Sequence, residues 1–201
     1  MTLVLALSIL IYSVILHEIA HGAVALWNGD RTARDAGRLT LNPLPHIDLL
    51  GSVVLPLVLI LTGSNLFFAW AKPVPFNPRN FNNKRLGVFT VGLAGPLTNI
   101  ALAALFSLAL RAAGTQNILF PFFYYGASVN VFLALFNLVP IPPLDGSRAV
   151  GVFMPRELKS LYYSLERWGF LIVIVLVTTG VFGRVIGPIY RLIFGRLTGL
   201  L

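Results

Sequence analysis

Residues 13–27 read SVILHEIAHGAVALW, with two histidines and a glutamate in the middle of an apolar run that extends from about Leu3 to Trp27. A helix needs roughly 20 mainly apolar residues to cross the hydrocarbon core of a bilayer, and this run is long enough. Residues four apart share a helix face, so His17 and His21 present their rings on one side, with Glu18 one residue round. Such groups are costly inside an apolar span unless they are buried, paired or bound to metal. The stretch therefore predicts a membrane-depth helix that carries a site. It does not read as a cleaved leader: it has no basic n-region, and a small-residue cleavage site would fall beyond the charged motif.

The rest of the chain has the same character. Of 201 residues, 57% are hydrophobic and 11% charged, with a mean hydropathy of +0.83; soluble domains carry about a quarter charged residues. Further candidate spans lie at about Ile47–Leu61, Leu86–Leu110 and Ile118–Val139. Trp168–Val181 and Val185–Leu197 add one or two more, broken by Gly180, Gly183 and Gly187. The expected architecture is all-α, a polytopic membrane protein with about five to six transmembrane helices and a three-helix catalytic core. It forms one membrane-embedded domain over 1–201, with the core in about 1–150 and C-terminal helices in about 155–201. Leu66 to Lys84, rich in Asn, Pro and aromatics, predicts a hairpin or re-entrant loop. Met154 to Arg167 reads as an amphipathic interfacial helix, with Tyr162, Tyr163 and Trp168 at headgroup level.

The net charge is +8, but the basic residues fall mostly between apolar runs, as headgroup anchors do. No nucleic-acid-binding motif accompanies them. The bias of Lys and Arg toward 72–85 and 148–167 places the N-terminus on the cytoplasmic side. There is no cysteine, which excludes disulfides and thiolate metal sites. The expected setting is an integral, multi-pass protein of a prokaryotic cell membrane.

The pattern His17-Glu18-Ile19-Ala20-His21 carries a mechanism: two imidazoles on one metal, with a carboxylate placed to take a proton from a metal-bound water. A catalytic zinc site normally has a third protein ligand. Position 27 is Trp27, and no Glu occurs between Glu18 and Glu157. The candidates near apolar spans are His46, Asp48 and Asp145. Asp145 is the best placed, because the prolines at 140, 142 and 143 end the preceding helix and Gly146 lets the chain turn again. His46 and Asp48 read more simply as residues pinning and capping the second span. Asn99, with Gly92 and Gly95, reads as a helix-packing residue. Two rival readings are a transporter or carrier using the same cluster as a proton or metal relay, and a proteolytically inactive membrane binding protein.

HEIAH in the first span and NLVPIPPLDG (Asn137 to Gly146) after a later one resemble the site-2-protease family of intramembrane zinc metalloproteases. GLAGPLTN (Gly92 to Asn99) and NPLPHIDLLGSVVLP (Asn42 to Pro56) are similar to further parts of its small prokaryotic members. The resemblance covers about Ile11 to Gly146. It implies one Zn²⁺ per chain held by His17, His21 and Asp145, and Glu18 activating the water. It also implies that Asn137 helps to hold the substrate carbonyl or its oxyanion. The implied substrates are transmembrane proteins in the bilayer, with no nucleic-acid partner. No PDZ-like insert or nucleotide-sensing domain is found, so regulation by such parts is not expected.

Overall fold

The computed structural model describes residues 2–62 and 69–200. Among them the chain is helical, in the order α1 (Thr2–Trp27), α2 (Thr32–Asp35), α3 (Leu55–Leu61), α4 (Lys84–Ala113), α5 (Phe120–Asn137), α6 (Asp145–Gly151), α7 (Arg156–Ser164), α8 (Glu166–Thr178) and α9 (Val181–Thr198). The helix ends follow local chemistry. The Asn83 side chain accepts from the Leu86 N–H at the start of α4, and Gly114 closes the helix at φ 74°. Gly180, at φ 72°, separates α8 from α9, a left-handed turn that glycine makes at no steric cost. The proline run after Asn137 ends α5, because proline cannot continue the backbone ladder.

Helices α1, α4 and α5 pack together as a three-helix core, with α6 against α4 and α9 against α4 and α5. Ala103, Ala127, Val131 and Phe194 form a buried cluster where α4, α5 and α9 meet. The small residues there let backbones approach closely, as helix contacts in membranes require. Around the outside the pattern inverts: Leu97, Leu105, Leu108 and Phe132 are exposed, while Ser13, His17, His21, Asn99 and Asn130 are buried. Contiguous apolar exposure around a polar interior is the pattern of a protein surrounded by lipid.

Among the described residues three helices are long and apolar enough to cross a membrane: Val4–Trp27, Lys84–Ala113 and Phe120–Leu138. A fourth results if Glu157–Ser164 and Glu166–Thr178, bent by 60°, count as one span. The described residues thus offer three or four candidate spans and do not establish the five to six expected. The Ile47–Leu61 stretch divides into a π-helical turn at Leu49–Val54 and the seven-residue α3, too short to span. Helix α9 carries Arg184, Arg191 and Arg196 along its 18 residues. Of the predicted 66–84 loop, 69–77 runs without regular secondary structure into a 3₁₀ turn at Pro78–Asn80. Its beginning at 66–68 lies outside the described residues.

Just past α1, Asp30 ties this loop to the core. It is fully buried. One carboxylate oxygen accepts from the Thr32 backbone N–H, the Thr32 hydroxyl and Asn80 Nδ2. The other accepts from the Asn77 N–H at 2.6 Å. Burial works to raise its carboxyl, but the hydrogen bonds from Thr32, Asn77 and Asn80 outweigh burial and hold it below the usual carboxylate range. The charged form is the one that folding favours. Its contribution is complete above the ordinary value of 3.8 and is lost as pH falls through the lowered one. Asp30→Ala strands buried donors and is expected to cost about 2–4 kcal/mol, read as a lower midpoint of thermal unfolding in detergent. The deficit should shrink as the pH is brought below 3.8; a deficit that persists unchanged there contradicts this account.

Gly146 sets the start of α6. A Cβ added to it would lie 2.2 Å from the Leu138 carbonyl oxygen, which is backbone and cannot step aside. Gly146→Ala is therefore expected to destabilise the fold by about 1–3 kcal/mol, measured as a lower unfolding midpoint.

Candidate functional site

Helix α1 projects His17 and His21 from one face toward α4, and the turn between Leu138 and Leu144 delivers Asp145, the first residue of α6, to the same point. All three are buried. His17 Nε2 lies 3.0 Å from His21 Nε2 and 3.0 Å from Asp145 Oδ2, and His21 Nε2 lies 3.1 Å from that same oxygen. Helix α4 approaches with bare backbone at Gly95, where a Cβ would come within 2.4 Å of the His17 ring and 2.6 Å of His21 Nε2. Glycine there leaves room for both imidazoles.

The outer nitrogens set the protonation pattern. His21 Nδ1 faces the Val91 carbonyl oxygen at 2.7 Å, and a carbonyl only accepts, so this nitrogen donates. His17 Nδ1 faces Asn99 Oδ1 at 2.6 Å, again an acceptor. Both Nε2 atoms consequently turn lone pairs inward, where they meet the Asp145 carboxylate. With both imidazoles neutral these are three acceptors about 3 Å apart that repel one another, and positive charge relieves that repulsion, either as a second proton on one Nε2 or as a metal ion held by all three. Two imidazoles and a carboxylate are a donor set suited to zinc. The edge of a tetrahedron with bonds of about 2.0–2.1 Å is about 3.3 Å, close to the spacing found. The residues fit the metal.

Glu18 lies beside this triangle, its carboxylate within 4.8 Å of ligand nitrogens of both histidines. Its Oε2 accepts from the Val74 backbone N–H at 2.7 Å. That N–H belongs to the irregular 69–77 segment, which is fastened by the Arg38 guanidinium donating to the Lys72 carbonyl and by the Lys72 N–H donating to His46 O. Pro73, Val74 and Phe76 from this segment, with Asn137 and Arg148, wall a cavity of about 140 Å³ over His17, Glu18, His21 and Asp145. The Arg148 guanidinium lies 5.0 Å from the centre of the Phe76 ring, within cation–π range.

Asn137, expected to face substrate, lines this cavity. One of its amide hydrogens is spent on Leu133 O at 3.0 Å, leaving the other for a ligand. His46 and Asp48 stand apart from the metal triangle. His46 is buried with Nε2 on the Thr40 carbonyl, and the Asp48 side chain accepts from the Gly51 N–H at the start of the π-helical turn. Both thus take the pinning and capping roles. Asn99 does more than pack helices, since it holds His17. Arg148 and the Val74 N–H were not singled out from sequence. Arg148 carried a readable signal, three residues after Asp145 on a helix face. A backbone N–H from a loop distant in sequence carries none.

Comparison with known proteins agrees with this geometry. Residues 112–179 match the family model described as Peptidase family M50. The chain is 38% identical over 188 residues to a Bacillus subtilis protein named "Putative zinc metalloprotease YwhC", covering 89% of this chain and 82% of that one. It is 33% identical over 176 residues to "Putative zinc metalloprotease Rip2" of Mycolicibacterium smegmatis, covering 86% and 66%. No solved structure matches. With the paired motifs, the converging donor atoms and this extent of likeness, the chain belongs to peptidase family M50, the site-2 proteases that its motifs resemble.

Proposed function

We propose that the protein is a multi-pass intramembrane zinc metalloprotease that hydrolyses peptide bonds within or near transmembrane segments of other proteins. The observation that carries this reading is the convergence of His17, His21 and Asp145 acceptor atoms within 3.1 Å of one another, with Glu18 beside them on a span-length apolar helix. His17, His21 and Asp145 would hold the zinc. When bound, the ion supplies Lewis acidity toward a water and the scissile carbonyl.

The chain's own groups do the rest. Glu18, fixed through Oε2 by the Val74 N–H, takes a proton from the attacking water and passes it to the leaving amide nitrogen. Asn137 and Arg148 line the cavity, and their side-chain N–H groups are the donors for the carbonyl oxygen as negative charge develops on it. The 69–77 segment covers the centre from one side, limiting entry to an unwound stretch of substrate. The expected setting is the membrane itself: the three long helices expose apolar side chains on the outside, and the polar centre is buried between them.

Purified protein in detergent should cleave a model transmembrane substrate and carry about one zinc per chain. Glu18→Gln should keep the zinc and lose roughly 10²–10⁴-fold in cleavage rate, the range for a removed general base; an active Glu18→Gln protein would overturn the assignment. Asp145→Ala should weaken zinc binding by more than roughly 100-fold, beyond the usual cost of losing an outer partner of a ligand. Elemental analysis showing undiminished zinc in Asp145→Ala would remove Asp145 from the ligand set.

A further inference from the structure

Behind His17 runs a chain of side-chain amides that ends on backbone. His17 Nδ1 meets Asn99 Oδ1 at 2.6 Å, and Asn99 Nδ2 donates to Asn130 Oδ1 at 2.8 Å. Asn130 Nδ2 donates to the Gly126 carbonyl and to Ser13 Oγ, each at 2.9 Å. Asn99 and Asn130 are both fully buried, and Ser13 nearly so. The three side chains come from α4, α5 and α1, one from each helix of the core.

The direction of this chain is forced from its far end. The Gly126 carbonyl only accepts, so Asn130 must turn its NH₂ toward it and its oxygen toward Asn99. Asn99 must then offer its NH₂ to Asn130, which turns Asn99 Oδ1 to His17. An oxygen at that place demands a proton on His17 Nδ1 and leaves the Nε2 lone pair aimed at Asp145. Flipping Asn130 would set acceptor against acceptor at Gly126 and donor against donor at Asn99, and flipping Asn99 alone would set its oxygen against Asn130 Oδ1. His21 needs no such device, because a backbone carbonyl, that of Val91, holds its Nδ1 directly.

We propose that Asn130 is a positioning residue for the metal centre: acting through Asn99, it fixes the tautomer of His17 so that Nε2 is kept free for the metal. The tautomer part rests on geometry alone, and the consequence for metal binding rests on the zinc reading above. The plain alternative is that the two asparagines join helices. The two readings differ in coupling. A helix-joining Asn130 changes stability whatever occupies position 99, whereas a relay through Asn99 loses its effect on the metal once Asn99 is gone.

The test is a double-mutant cycle on zinc affinity, by chelator competition on the full chain in detergent, together with ¹⁵N-histidine NMR of the metal-free protein. Asn99→Ala should weaken zinc by roughly 10–100-fold, as removal of a ligand's outer partner does, and Asn130→Ala by roughly 10-fold. The double variant should match Asn99→Ala within about twofold. Asn99→Asp offers His17 an oxygen that needs no orienting, so in that background Asn130→Ala should cost less than about twofold; this arm retains a polar side chain at position 99 if the alanine variants fold poorly. With three histidines in the chain, the spectrum is assignable. At about pH 8, above the ordinary histidine range, His17 should carry its proton on Nδ1 in wild type and on a mixture of both nitrogens in Asn130→Ala. Additive losses of zinc affinity, or an unchanged His17 tautomer in Asn130→Ala, would overturn the proposal. Absence of zinc binding by wild type would sink the metalloprotease reading, and the NMR result would still decide the relay.

Discussion

Three lone-pair atoms meeting at about 3 Å in a buried, apolar setting are the contact around which this protein is organised. A neutral imidazole cannot relieve the repulsion by turning its one proton inward, since both outer nitrogens are committed to acceptors, one on the Val91 backbone and one on Asn99; an added proton or a metal ion does so. The arrangement is tolerable only with positive charge at the centre. That demand accounts for two glycines that would otherwise weaken their helices. Gly95 lets α4 pass close to both rings, and Gly146 lets α6 begin against the end of α5 with Asp145 pointing in.

Polar groups in an apolar surround need partners inside the protein, and Glu18 and His17 are each traced to an element fixed by another. Glu18 is held by a backbone N–H of the 69–77 segment. That segment is fastened in turn by Arg38 at one end and the buried carboxylate of Asp30 at the other. Asp30 is far from the metal triangle in the chain of contacts, yet it sets how the covering loop lies. His17 is held through two amides by a carbonyl of α5. The geometry of the site is therefore a property of three helices and one loop together.

Much of this was readable from residues alone. The HEIAH pair on an apolar run gave the helix, the shared face and the metal chemistry, because the four-residue spacing has one geometric meaning on a helix. The proline run and glycine around Asp145 marked a turn at membrane depth, and the motif resemblance supplied the pairing. The number of spans is less legible in the residues. The Ile47–Leu61 stretch is apolar enough but breaks at a π-helical turn held by Asp48 and the returning loop, and α9 combines span length with three arginines. Hydropathy registers composition and is blind to a backbone bond made with a segment twenty residues away.

The amino-acid order thus specified a candidate metal-binding trio, its place on and next to helices, and long apolar helices suited to a membrane, since these follow from local periodicity and transfer cost. Which nitrogen of each histidine faces inward, which oxygen of Glu18 is engaged, that Arg148 joins the cavity wall, and that Asn99 serves His17 were settled by packing. Those features arise where atoms more than 50 residues apart in the chain come within 3 Å, and no local pattern encodes the partner across such a gap.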